Sequence, residues 1–137
     1  INNVVDQTGI SGRWQVISYS PLTICDIAHN VDGIISILKL INKIKYKKLH
    51  FVFGTVNDKN TTNILKLLPR NAKYYFCKAN IPRGLDQHEL NDAAEKLSLR
   101  GDAFESVKDA LSAARSDADR NDLIFVGGST FVVAETL

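Results

Sequence analysis

The segment Thr23-Ile24-Cys25-Asp26-Ile27-Ala28-His29-Asn30 puts a carboxylate, an imidazole and a carboxamide at the end of a short apolar run, just before a helical pattern begins. In a parallel sheet the carboxyl ends of the strands face the crevice where α/β proteins hold ligands, and a helix starting there offers free N–H groups to an anion. Asp26, His29 and Asn30 are therefore candidate site residues. The same residue types also cap helices and close turns, because their side chains satisfy backbone donors where a strand ends. On this segment alone both readings stay open.

Three further segments carry chemistry-bearing groups. Gly12-Arg13-Trp14-Gln15 lies upstream, Phe53-Gly54-Thr55-Val56-Asn57-Asp58-Lys59 in the middle, and Phe125-Val126-Gly127-Gly128-Ser129 near the end. A guanidinium binds phosphate oxygens with two directed donors and does not deprotonate, so Arg13 is either a phosphate contact or an ordinary surface arginine. Ser129, after two glycines, either meets a ligand or caps a helix. His50 and His88 have no supporting context and are expected to be structural or exposed. The chain holds no G-x-x-x-x-G-K-[ST] cradle for a triphosphate and magnesium, no Cys/His metal spacing and no G-x-S-x-G elbow.

The elements that must position these groups follow from periodicity. Trp14 to Ser18 and Leu22 to Ile27 read as an antiparallel pair of strands joined by a turn at Ser20-Pro21. From Val31, Ile34, Ile35, Leu38, Ile41 and Ile44 recur at helical spacing while Lys39 and Lys43 stay solvated. Leu49 to Phe53 is a strand covered on both faces, Thr61 to Leu68 a helix closed by Pro69, and Lys73 to Cys77 another strand. Asp86-Gln87-His88-Glu89 has capping-box spacing and opens a third helix. A fourth helix spans Glu105 to Asp117, Leu123 to Val126 is the last strand, and Ser129 can cap a terminal helix from Thr130. The charged stretches Lys43 to Lys48 and Ser116 to Asp122 are expected to be solvated loops. Strands alternating with helices imply an α/β domain with a mixed, mainly parallel sheet of about six strands and helices on both faces.

Size and composition set the outer bounds. With 137 residues and 45% hydrophobic content, one sizeable core and one domain are expected. A net charge of +2 argues against a nucleic-acid partner. Cys25 and Cys77 both sit in apolar runs and read as buried core residues of a protein in a reducing cytoplasm. Neither a membrane-spanning run nor a signal-peptide pattern is present, so no membrane partner is expected. The sequence contains no methionine. It is therefore expected to be an excised domain over residues 12–137, with residues 1–11 the linker remnant of an absent N-terminal domain.

The Gly-Arg-Trp, Asp-x-Ala-His-Asn, Asp-Lys and Gly-Gly-Ser elements, in this order, resemble the C-terminal domain of the folylpolyglutamate synthase and dihydrofolate synthase family, within the wider Mur ligase group. The resemblance runs from Gly12 onward and implies a Rossmann-like, three-layer domain. It implies an ATP-dependent amide ligase that adds L-glutamate to a folate or dihydropteroate acceptor through an acyl phosphate. ATP would be held by Arg13 and Asp26, with triphosphate and magnesium cradled mainly by a P-loop in the N-terminal domain of the same polypeptide. Asp26 and His29 would be catalytic, His29 and Ser129 would face glutamate, and Asn30, Asp58 and Lys59 would support them. No metal ligand is assigned to this chain. Asn60 stands where the family commonly has Asp, and Val31 where it often has Pro, which affects position 60 and the first helix cap. Two alternatives are a Mur-type ligase acting on a cell-wall peptide precursor and a non-catalytic Rossmann-like nucleotide-binding module.

Overall fold

The longest apolar runs take the centre of the sheet. The structure, a computed structural model, describes residues 12–137, and the expected linker over 1–11 lies outside the described residues. Strands β1 (Gln15–Tyr19), β2 (Leu22–Cys25), β3 (Leu49–Phe53), β4 (Ala72–Phe76), β5 (Arg100–Ala103) and β6 (Leu123–Gly127) form one sheet in the order β1-β2-β6-β3-β4-β5. All five residues of both β3 and β6 are buried, as strands covered on both faces must be. β1 pairs antiparallel with β2, and every other neighbouring pair is parallel. The mixed six-stranded sheet agrees with the expected fold class.

Alternation along the strands divides the core in two. Phe51 and Phe53 of β3, Tyr74 and Phe76 of β4 and Phe125 of β6 point to one face, where they meet Ile34, Ile37 and Ile41 of α1 (Val31–Ile41), Ile64 and Leu65 of α2 (Thr61–Leu67), and Leu90 and Ala94 of α3 (Gln87–Glu95). Phe51 packs edge-on to Phe125 at 5.2 Å, and Tyr74 stacks on Phe76 at 5.5 Å. Burying each such ring contributes roughly 1.5–3 kcal/mol, so this face holds much of the fold's stability. Val52, Tyr75, Ile124 and Val126 point the other way, against Val107, Ala110, Leu111 and Ala114 of α4 (Val107–Asp117) and Val132 and Val133 of α5 (Thr130–Ala134). Cys25 and Cys77 are buried in this second layer, and burial, aided by Glu135, pushes the Cys77 thiol up to about 12.

Side-chain caps set most helix starts. Asn30, Asp86, Ser106 and Ser129 each accept an N–H from the first turn that follows. Ser106 as the cap places the start of α4 at Val107 rather than Glu105. Three other expectations are corrected. Trp14 lies outside β1 because its φ of 45° cannot continue a strand, and β2 stops at Cys25. Arg100–Ala103 forms the edge strand β5, which its polar, glycine-containing sequence does not announce. α4 ends at Asp117 as expected, whereas Asp122 in the following charged stretch is buried rather than solvated. None of the helices of the described residues is long and apolar enough to cross a membrane.

Candidate functional site

Parallel pairing brings three strand ends out together. Cys25 of β2 and Val52 of β3 both stand opposite Val126 of β6, so Asp26, Gly54 and the Gly127-Gly128-Ser129 turn share the carboxyl edge of the sheet. The Asp26 N–H donates to the Val126 carbonyl at 3.1 Å and the Gly54 N–H to the Gly127 carbonyl at 3.3 Å, which ties the three ends into one rim. Over this rim a cavity of about 390 Å³ opens between the start of α1 and the start of α5. Arg13, Asp26, His29, Asn30 and Thr130 are among the residues that line it.

Each expected site residue has a definite place. Arg13 and His29 are exposed and reach the cavity, and the ion pairs among the described residues are His50–Asp122 and Lys73–Asp117, so Arg13 is uncommitted among them. His29 Nδ1 lies 3.4 Å from the Ile27 carbonyl, a long and weak contact that leaves the ring oriented but not locked. Asp26 is half-buried, and its carboxylate accepts the N–H groups of Trp14 and Ala28, each at 2.8 Å. Asn30 caps α1, its Oδ1 accepting the Gly33 N–H at 2.8 Å. Ser129 is buried and caps α5 by accepting the Phe131 N–H at 3.1 Å. Ser129 is not among the residues that line the cavity, although a hydroxyl that accepts through a lone pair keeps its hydrogen to donate.

Asp58 and Lys59 are not brought to this cavity. They are exposed in the turn before α2, where Asp58 Oδ1 accepts the Asn60 N–H at 2.9 Å, and the preceding Asn57 N–H donates to the Arg83 carbonyl. Asn60 at the start of α2 makes no side-chain cap. Thr130 was not singled out from the sequence; the signal was its place directly after the Ser129 cap. No cluster of three or more His, Cys, Asp or Glu side chains suited to a metal is found among the described residues.

A larger cavity, about 700 Å³, lies at the opposite, amino-terminal edge between Lys48, His50, Lys73, Arg100, Asp117 and Asp122. Four of its side chains, His50, Lys73, Asp117 and Asp122, are linked through Tyr75. His50 Nε2 meets Asp122 Oδ2 at 2.8 Å, His50 Nδ1 meets the Tyr75 hydroxyl at 2.9 Å, the Tyr75 hydroxyl donates to Asp117 at 2.8 Å, and Lys73 donates to the same carboxylate at 2.7 Å. The chain of bonds stitches β3, β4, β6 and the end of α4 together, so we assign it to stability. His50 is thus a structural histidine, whereas His88 is exposed.

Lys73, with help from Tyr75, holds the Asp117 carboxyl below the usual carboxylate range. Burial pushes the Asp122 carboxyl up, but the Asp119 amide and His50 outweigh it and the net shift is also downward. A carboxyl whose folded pKa lies below its unfolded value of about 3.9 stabilises the fold above that value and loses the contribution as pH falls through the folded pKa. Stability is therefore expected to drop below about pH 4. Urea unfolding at pH 7 and pH 3 checks this: Asp122→Asn should flatten the pH dependence more than Asp117→Asn, because Asp117 is the more solvent-screened. Equal slopes in wild type and both variants would remove the carboxylates from the acid response.

Comparison with known proteins agrees with this architecture. The family model described as Mur ligase, glutamate ligase domain, matches residues 12–130. The chain is 37% identical over 127 residues to a probable bifunctional folylpolyglutamate synthase/dihydropteroate synthase of Haloferax volcanii, covering 90% of this chain and 15% of that protein. It superposes on Escherichia coli FolC in complex with DHPP and ADP with a TM-score of 0.84 at 29% identity, covering 93% of this chain and 30% of the other. A bifunctional folylpolyglutamate synthase/dihydrofolate synthase with Mn, AMPPNP and L-glutamate bound gives a TM-score of 0.82 at 30% identity, with the same 93% and 30% coverage. The chain thus spans about a third or less of the length of these relatives.

Proposed function

The chain belongs to the Mur ligase family as a glutamate ligase domain, and we propose that it is the C-terminal domain of an ATP-dependent ligase that joins L-glutamate to a folate or dihydropteroate acceptor. The observation that carries this reading is the rim cavity, where an uncommitted guanidinium and an exposed imidazole meet at the carboxyl edge of a parallel sheet. The similar structures that hold ADP, or AMPPNP with Mn and L-glutamate, support the choice of ligands.

In this reading the acceptor carboxylate attacks the γ-phosphorus of ATP, giving an acyl phosphate and ADP. The amine of glutamate then attacks the acyl carbon, the C–O bond to phosphate breaks, and the amine gives up a proton as the amide forms. Arg13 supplies directed positive charge to the phosphates, and Asp26 belongs to the same end of the cavity. His29 faces the incoming glutamate or the charge that develops at the acyl carbon, and the Ser129 hydroxyl can donate to a glutamate carboxylate. Asn30 contributes as the cap of α1, and Asp58 with the adjacent Lys59 as the turn before α2. The triphosphate cradle, the magnesium and the acceptor pocket are assigned to an N-terminal P-loop domain of the same polypeptide. Closure of the two domains would exclude water from the acyl phosphate. The placing of Cys25 and Cys77 as core residues fits a cytoplasmic setting.

The test is direct. The complete polypeptide, given ATP, magnesium, labelled L-glutamate and a folate or dihydropteroate acceptor, should form a glutamylated folate with one ADP per amide. The 137-residue chain alone should form none and should bind ATP weakly at best, since Arg13 and its neighbours make too few contacts to offset the lost freedom of a bound nucleotide. Transfer to a UDP-linked cell-wall peptide instead would favour the Mur-type alternative. Micromolar ATP binding by the isolated chain would favour the nucleotide-binding module.

A further inference from the structure

Arg13 stands between two residues whose backbones lie in the left-handed region. Gly12 has a φ of 89° and Trp14 a φ of 45°, and β1 starts only at Gln15. A glycine adopts that region freely, but a bulky L residue keeps it only where its surroundings hold it. The direction in which the guanidinium leaves the chain therefore depends on a conformation that tryptophan does not favour by itself.

Contacts on both sides of Arg13 hold the turn. Gly12 packs so close to α5 and the end of β2 that an added Cβ would come within 2.8 Å of Ile27 Cγ2 and 3.1 Å of Val133 Cγ1, and its N–H donates to Gln15 Oε1 at 2.7 Å. The Trp14 N–H donates to Asp26 Oδ2 at 2.8 Å, and the indole lies 5.9 Å from the Phe125 ring, tilted by 41°. Phe125 is fully buried and packs edge-on to Phe51, so the indole rests on a fixed part of the core. Trp14 is half-buried against that core and is not among the residues that line the rim cavity, whereas Arg13 is exposed and lines it.

We infer that Trp14 is a positioning residue: its indole, seated on Phe125, fixes the turn that points Arg13 into the cavity, and Gln15 closes the same turn from the other side. The inference rests on the ligase reading given above, in which Arg13 meets the phosphates of ATP. A rigid ring suits the task, because seating its face on Phe125 leaves the backbone at position 14 little freedom. Alanine has no such seat, and its backbone returns to the ordinary β or right-handed regions, which swings Arg13 away. Phenylalanine keeps a ring to set on Phe125.

The experiment uses the complete polypeptide and compares wild type, Trp14→Ala, Trp14→Phe, Arg13→Ala and the Trp14→Ala/Arg13→Ala double variant, with ATP and glutamate varied in turn. Trp14→Ala should lower kcat/KM for ATP on the order of tenfold, with a smaller change for glutamate, and Trp14→Phe should recover most of the loss. The double variant should be little worse than Arg13→Ala alone, because a misaimed guanidinium and an absent one fail at the same contact. Amide hydrogen exchange at Gly12 and at residue 14 should be faster in Trp14→Ala than in wild type and close to wild type in Trp14→Phe. Should Trp14→Ala fold poorly, Gln15→Leu loosens the same turn by removing the acceptor of the Gly12 N–H, and it should show the same ATP-selective loss and the same lack of additivity with Arg13→Ala.

Wild-type-like ATP kinetics in Trp14→Ala would overturn the inference. So would an equal loss on both substrates, or fully multiplicative effects in the double variant, which would mean that Trp14 acts on the reaction apart from Arg13. A loss in Trp14→Phe as large as in Trp14→Ala would show that a ring seated on Phe125 is not what holds the turn. A wild-type polypeptide that makes no glutamylated product would instead sink the functional reading, and exchange at Gly12 and residue 14 would still decide whether the indole holds the turn.

Discussion

Arg13→Ala in the complete polypeptide is expected to lower kcat/KM for ATP by roughly tenfold to a thousandfold, the cost of one lost charge-assisted phosphate contact, with a smaller change for glutamate. His29→Ala should show the reverse pattern, reducing kcat or glutamate use more than ATP use. The division follows from the cavity. Both side chains are exposed and line it, but Arg13 sits at the entry to β1 while His29 leads into α1. A guanidinium cannot move a proton, so its removal should change binding and charge stabilisation without changing the shape of the pH–rate profile. An imidazole can, so that shape should change in His29→Ala if the ring handles the amine proton. Steady-state kinetics with each substrate varied in turn checks both. Identical responses of both substrates to both substitutions would show that the two residues act on the reaction as one unit.

The parts of this design that were legible in the sequence are those set by periodicity and capping chemistry. Two-sided burial of Leu49 to Phe53 and Leu123 to Val126 follows from apolar runs interrupted only by His50, and the caps Asn30, Asp86 and Ser129 follow from side chains that accept an N–H. Features decided by tertiary contact were not legible. β5 reads Arg-Gly-Asp-Ala and has no strand signal of its own; it exists because β4 offers it a free edge, with Lys73 opposite Arg100 and Phe76 opposite Ala103. Asp122 looked like one more charge in a polar loop, and only the register of β3 against β6 brings His50 onto it.

The candidate site divides in the same way. Residue types in the Asp26 to Asn30 segment pointed to the rim, but they could not tell which groups face the cavity and which hold the backbone. Asn30 and Ser129 prove to be caps, and Asp58 turns toward its own loop. A side chain whose partner lies twelve residues upstream, as the Trp14 amide does from Asp26, leaves no local pattern to read. That leaves Arg13 and His29 as the exposed charged or titratable side chains that line the cavity, each supported by neighbours that also looked like ligand contacts.

Gly128→Ala is expected to destabilise the fold by about 2–4 kcal/mol, and Gly128→Val by more, because two separate penalties meet at this position. The backbone there has a φ of +105°, which an L side chain rarely adopts. A Cβ added on that backbone would collide with the Gly54 carbonyl oxygen and come within 2.7 Å of the Phe53 ring. Neither obstacle moves easily. Gly54 is tied to β6 through its N–H bond to the Gly127 carbonyl, and the Phe53 ring is fully buried against Phe51 and Phe76. Relief would have to come from the 127–129 turn itself, which would lift Ser129 off the Phe131 amide and shift Thr130 at the cavity wall. Activity of the complete polypeptide should then fall further than the folded fraction explains. Denaturant unfolding together with kinetics on the folded protein measures both effects. A stability change below about 1 kcal/mol would mean that the turn accommodates a side chain, and the rim would then be softer than the close approach of Gly54 and Gly128 indicates.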